Sequence, residues 1–101
     1  MKIIRHGDVL LKEVETKEVQ NIKRQKKLVL AEGEVTGHAH RLFSPAIWEI
    51  IEGSKRFIQL GEDGTLTHEE HGCLQIPTGT YEIIMEREWD YIENQKKKVV
   101  D

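Results

Sequence analysis

Short aliphatic runs, broken by glycine or proline roughly every eight to twelve residues, limit the fold of this chain more than any other feature. Runs such as KIIR, KRFIQL and CLQI have the length of strands and are too short for stable helices. Connections this short do not allow the crossovers that parallel strands need. The pattern therefore predicts an all-β fold, a small antiparallel barrel or sandwich with at most one short helix.

Two polar segments fall outside the strand pattern. Residues 15–27, ETKEVQNIKRQKK, predict a loop, with a short helix as the alternative because Val19 and Ile22 lie three apart. Residues 96–101 predict a polar tail. The chain has 101 residues, which suits one core, so residues 1–95 are predicted to form a single all-β domain.

Charge and apolar content restrict the function class. Fifteen basic and eighteen acidic residues give a formal charge of −3, whereas dedicated nucleic-acid binders usually carry a basic excess. No run approaches the ~20 apolar residues of a membrane helix, and the first residues lack the apolar core of a signal peptide. A single cysteine, Cys73, fits a reducing compartment. These features predict a cytoplasmic protein that does not contact a membrane.

Four of the five histidines lie in two short stretches. In GHAHRL, His38 and His40 are two residues apart and would share one face of a strand. In LTHEEHG, His68 would point inward, and a turn at Gly72 would bring His71 to the same side. Imidazole is a common metal ligand. The two stretches therefore predict a divalent metal site of His38, His40, His68 and His71, suited to zinc, manganese, iron or nickel.

The predicted site is compatible with three functions. A metal-dependent hydrolase would use the ion to lower the pKa of bound water, with His68, His71 and Glu70 as catalytic groups. A metal-independent phosphodiesterase or nuclease would instead use paired histidines as general acid and base. A non-catalytic metal- or ligand-binding module is the third. The substrate would be a small molecule or a phosphodiester, and a nucleic acid is compatible with the second function.

Two further residues are predicted to lie outside the site. His6 stands alone at a turn signal, His6-Gly7-Asp8, and is predicted to be a half-exposed surface residue. Cys73 is predicted to be a small core or half-buried residue.

The size of the domain also bears on assembly. A small domain buries a limited fraction of its surface, and exposed strand edges pair readily with other chains. We therefore predict a homodimer or a larger closed homo-oligomer.

Two stretches resemble the cupins. GHAHRL is similar to the His-x-His of the first cupin motif, and GCLQIPTGTYEI is similar to the Gly…Pro-x-Gly segment of the second. The resemblance implies a small double-stranded β-barrel with a metal bound by His38 and His40. The chain departs from the cupin pattern after Pro77, where Tyr81 and Glu82 stand near the expected histidine. The order TGHAHRL, LTHEEHG, IPTGTYEIIMEREWDY also resembles small uncharacterised prokaryotic proteins.

Overall fold

The structure is an antiparallel β-sheet that is nearly closed into a barrel. It is a computed structural model that describes residues 2–16, 24–32 and 37–85, and no helix occurs among them. The eight strands are β1 (Ile3–His6), β2 (Val9–Val14), β3 (Gln25–Glu32), β4 (Ala39–Glu52), β5 (Lys55–Leu60), β6 (Gly64–His68), β7 (Gly72–Ile76) and β8 (Gly79–Met85). The predicted all-β antiparallel class is confirmed.

Several sequence predictions fall outside the described residues. They are the alternative helix around Val19 and Ile22 and the polar tail at 96–101. The described part of the 15–27 segment differs from the prediction at one end. Residues 25–27 open β3 instead of lying in a loop, because they pair with β4.

The sheet runs in the order β1-β2-β8-β5-β4-β6-β7, and β3 pairs with β4 outside this path. Strand β4 is the longest and has two successive partners on one side. Its residues 47–52 pair with β5, and its residues 41–43 pair with β6. Because Leu42 is matched with both Leu28 of β3 and Leu66 of β6, β3 must lie on the opposite side of β4 from β6.

Pro45 lies inside β4, an unusual place for a proline because it has no N–H to donate to a neighbouring strand. The exposed proline stands where β4 changes partner, between the Phe43–Thr65 and Ile47–Leu60 pairs. No ladder hydrogen bond needs its missing N–H there, so the strand continues. Ser44 supports the junction, since its hydroxyl donates to the Glu62 carbonyl at 2.9 Å.

The core lies on the concave side of the curved sheet and is aliphatic with one aromatic residue, Tyr81. Its hydroxyl donates to the Pro77 carbonyl at 2.8 Å while the ring is fully buried. The period of two is clear at β4, where His40 and Leu42 are buried while Phe43 is exposed. The core members are Val9, Leu11, Leu28, Leu30, Leu42, Ile47, Ile58, Leu60, Leu66, Ile76 and Tyr81.

Strands β1 and β7 are the two ends of the sheet path, and a side chain joins them. The His6 ring donates from Nε2 to the Gly72 carbonyl at 3.0 Å, which brings the end of β1 to the start of β7. The seam of the barrel is therefore closed at this point by a histidine. In the described part of the chain, no helix has the length and apolar character of a membrane span.

Candidate functional site

The rings of five histidines lie close together and form the histidine cluster: His6, His38, His40, His68 and His71. Two of them extend the inward-facing rows of neighbouring strands. Leu42 of β4 and Leu66 of β6 are matched across the sheet, and both are fully buried. His40 lies two residues before Leu42, and His68 lies two residues after Leu66, so both follow the inward face. Their ring centroids are 4.4 Å apart. The His-x-His periodicity and the antiparallel register together deliver these two imidazoles to one place.

His71 reaches the same place through a tight turn. Strand β6 ends at His68, and β7 begins at Gly72, whose φ of 71° is in the left-handed region that favours glycine. The ring of His71 lies 4.6 Å from that of His68 and stacks at 5.8 Å on that of His40. The structure thus has the turn on which the sequence prediction for His71 depended.

His6 was wrongly predicted to be a half-exposed surface residue. Only 5% of it is exposed, and its Nδ1 lies 2.9 Å from Nδ1 of His40. The contact joins residues 34 apart in the sequence, so no local pattern encodes it. One signal was available: His6 and Asp8 stand two residues apart, as His38 and His40 do.

His40 is held at both ring nitrogens and is 1% exposed. Nδ1 of His40 lies 2.9 Å from Nδ1 of His6, and Nε2 of His40 lies 3.0 Å from the Asp8 carboxylate. Burial lowers the pKa of His40 below its ordinary value, while the hydrogen bond to Asp8 opposes this shift. Neither nitrogen has a lone pair directed towards the open side. The assignment of His40 as a metal ligand stays a prediction, and the geometry favours His38 and His68 over it.

The hydrogen-bond partners of His6 restrict its tautomer. The Gly72 carbonyl only accepts, so His6 presents an N–H at Nε2. The contact between the Nδ1 atoms of His6 and His40 needs a proton on one of the two atoms, and the tautomers of the rings decide which ring donates.

His38 and His68 lie on the more open side of the cluster, with ring centroids 5.7 Å apart. Ligand atoms of His38, His68 and Glu69 all lie within 4.8 Å of one another. Glu70 contacts both rings: its N–H donates to His68 Nδ1 at 3.0 Å, and its carboxylate is 3.6 Å from His38 Nδ1. An ion at His68 would replace either this hydrogen bond or the proton at Nε2.

Glu69 ties the β6–β7 turn to the beginning of β4. One of its carboxylate oxygens pairs with Arg41, and the other accepts from the Ala39 N–H at 2.9 Å. Arg41 also donates to the Gly37 carbonyl at 3.2 Å. The hydrogen bonds from Arg41 and then from Ala39 lower the pKa of Glu69 to about 2. The pair therefore stabilises the fold above the ordinary carboxyl pKa of 4.5, and this contribution is lost as the pH falls towards 2.

Gly7 packs against the rings of His71 and His40. A Cβ at this position would be 2.6 Å from His71 Cδ2 and 3.0 Å from His40 Cε1. The side chain of residue 7 is therefore excluded by the same rings that form the cluster, and the glycine has φ of 61°.

We expect Gly7→Ala to displace the His71 ring and to destabilise the protein more than Gly53→Ala does. Gly53 has the same φ of 61°, but a Cβ there meets nothing within 4 Å. Both variants carry the cost of a left-handed alanine, roughly 1–2 kcal/mol, and only Gly7→Ala adds overpacking of about 1–3 kcal/mol. Chemical denaturation of both variants measures the difference. Equal losses would contradict the close packing of Gly7 against the rings.

Cys73 does not belong to the cluster. It was predicted to be a core or half-buried residue, but it is exposed. Its strand partner is Thr67, and the inward face at this level carries Leu66 and Leu74, so the thiol points away from the core.

The chain matches one family model, described as "Domain of unknown function (DUF8820)", over residues 5–86. No curated protein and no solved structure matches it. The matched span contains all five histidines together with Asp8, Glu69 and Glu70.

Proposed function

The chain belongs to the DUF8820 family, and we propose that it binds a divalent metal ion in its histidine cluster and uses that ion to hydrolyse its substrate. The observation that carries the proposal is the convergence of His38, His68 and Glu69, whose ligand atoms lie within 4.8 Å of one another. Nitrogen and carboxylate ligands suit zinc, manganese, iron or nickel.

The spacing of the rings supports the same proposal. Imidazoles on one tetrahedral ion, with nitrogen–metal distances of about 2.0–2.1 Å, have ring centroids roughly 5 Å apart. The His68 ring lies 5.7 Å from His38, 4.4 Å from His40 and 4.6 Å from His71. His68 is thus the ring around which the other three lie.

The roles of the surrounding side chains follow from their exposure. An ion in this place would lower the pKa of a coordinated water towards neutrality. Glu70 and His71 are both exposed, so they are the groups that would take the proton and meet a substrate arriving from solvent. His6 and His40 are buried behind them and hold each other by hydrogen bonds. Arg41 is paired with Glu69 and anchors the turn.

Metal analysis of untagged protein tests the proposal. We expect about one divalent ion per chain after purification, or after dialysis against zinc or manganese followed by removal of free ion. A chelator should remove the ion, and hydrolytic activity should disappear with it and return when metal is added back. A polyhistidine tag must be absent because it binds the same ions. A metal content near zero under both conditions would contradict the proposal.

One observation favours a second candidate function. The rings of His68 and His71 lie 4.6 Å apart, and His71 is exposed, so this pair is within reach of a substrate in solvent. Paired histidines are suited to general acid and general base chemistry on a phosphodiester. Phosphodiester cleavage that persists in excess chelator would favour this function over the metal-dependent one.

The remaining sequence predictions belong to the same proposal. A small-molecule or phosphodiester substrate, a homo-oligomeric state and a cytoplasmic location stay predictions. Exposed apolar side chains on the outside of the sheet, Phe43 at 40% and Ile51 at 68% exposure, support self-association.

A further inference from the structure

We infer that the β1–β2 turn, His6-Gly7-Asp8, orients the ring of His40, and that His6 and Asp8 are positioning residues of the site. The inference rests on the proposed function for its effect on metal affinity. The orientation of the His40 ring does not depend on that proposal.

The turn contacts both ring nitrogens of His40. His6 Nδ1 lies 2.9 Å from His40 Nδ1, and Asp8 Oδ1 lies 3.0 Å from His40 Nε2. Bonds at the two nitrogens of one imidazole oppose rotation about the Cβ–Cγ bond. Because the ring is 1% exposed, water is not available to replace either partner. Loss of one partner therefore leaves a buried polar atom without a hydrogen bond.

The turn is itself fixed relative to the other histidine-bearing segments. His6 donates to the Gly72 carbonyl at 3.0 Å, which ties the turn to the start of β7. Gly7, having no side chain, lets the turn approach the rings of His71 and His40. Three consecutive residues therefore contact β4, the β6–β7 turn and β7 at once.

The orientation of His40 determines where its neighbours lie. The His68 ring packs on it at 4.4 Å, and the His71 ring stacks on it at 5.8 Å with an interplanar angle of 11°. A rotated His40 would collide with one of these rings or leave a gap beside it. Partners that orient the groups around a metal typically change its affinity 10–100-fold when they are removed, roughly the range we expect here.

A purely structural role of His6 is the alternative to this inference. In that case only its bond to the Gly72 carbonyl would matter, because it closes the barrel seam. The two nitrogens of His6 serve the two roles separately: Nδ1 contacts His40, and Nε2 contacts Gly72. Two amide variants separate the roles, since the Asn amide lies near the position of Nδ1 and the Gln amide near that of Nε2.

The experiment compares Co²⁺ affinity, measured by titration, in the full chain and in His6→Asn and His6→Gln. We expect His6→Asn, which keeps a partner for His40, to stay within about threefold of the original affinity. We expect His6→Gln, which keeps only the seam bond, to lose roughly 10–100-fold. Circular dichroism checks that each variant is folded. If neither folds, Asp8→Ala, which leaves the seam bond intact, takes their place and should lose the same 10–100-fold.

A second readout does not require metal. In the unmodified chain, the buried ring N–H protons of His40 should exchange slowly with water and give NMR signals. These signals should persist in His6→Asn and vanish in His6→Gln. If this pattern appears in a chain that does not bind Co²⁺, the proposed function is wrong while the orienting role of the turn is supported. If His6→Gln keeps the ring signals as well as His6→Asn does, or Asp8→Ala retains them, the inference is overturned.

Discussion

The double variant His38→Ala/His68→Ala is expected to lose the bound metal ion, with a fall in affinity well beyond the roughly 10–100-fold cost of removing a supporting contact. Both side chains belong to the group whose ligand atoms lie within 4.8 Å of one another, and only Glu69 of that group would remain. Glu69 by itself supplies a single carboxylate, which is also paired with Arg41 and Ala39, so it does not hold the ion without the two histidines. Metal analysis and Co²⁺ titration of the untagged variant measure the loss.

The control for this variant is Cys73→Ser. The thiol is the chain's single cysteine and is exposed on β7, close to the cluster in sequence, but its strand partner Thr67 does not belong to the inward row. A thiolate is a strong ligand for these metals, so an adventitious site at the surface would depend on it. We expect Cys73→Ser to keep its full metal content. If Cys73→Ser loses its metal while the double histidine variant keeps it, the metal binds at the surface near Cys73 and not in the cluster.

Leu66→Ala is expected to lower the free energy of unfolding by about 2–5 kcal/mol. Leu66 is fully buried on β6 and lies between its cross-strand partners Leu42 and Leu74. Truncation removes apolar contacts and leaves a cavity in a barrel that has one small core. For a domain of this size each kcal/mol shifts the melting temperature by about 4–8 °C. Thermal and chemical denaturation measure the change.

The matched control is Ile51→Ala on β4. Ile51 is 68% exposed, so its truncation should change stability by no more than about 0.5 kcal/mol. Because His68 follows Leu66 by two residues on the same face, Leu66→Ala should also disturb the cluster. A loss in Leu66→Ala no larger than that in Ile51→Ala would contradict the assignment of Leu66 to the core.

Much of the strand pattern and part of the site were predictable because they depend on short-range periodicity. A period of two places His40 and Leu42 on one face regardless of the surrounding fold. Gly72 adopts the left-handed conformation that a tight turn requires, and that turn brings His71 back to His68. These features are encoded within a few residues, so the sequence alone indicated them.

The partners of these residues were decided by the tertiary structure. His6 and His40 are 34 residues apart in the sequence. They are in contact only because the curved sheet brings the end of β1 against the start of β7. Pro45 stays within a strand only because β4 changes partner at that point. Sequence periodicity specifies the face on which a side chain lies. The register and curvature of the whole sheet decide which residues that side chain contacts. They make His6, which the sequence alone indicates to be a surface residue, a buried contact of His40.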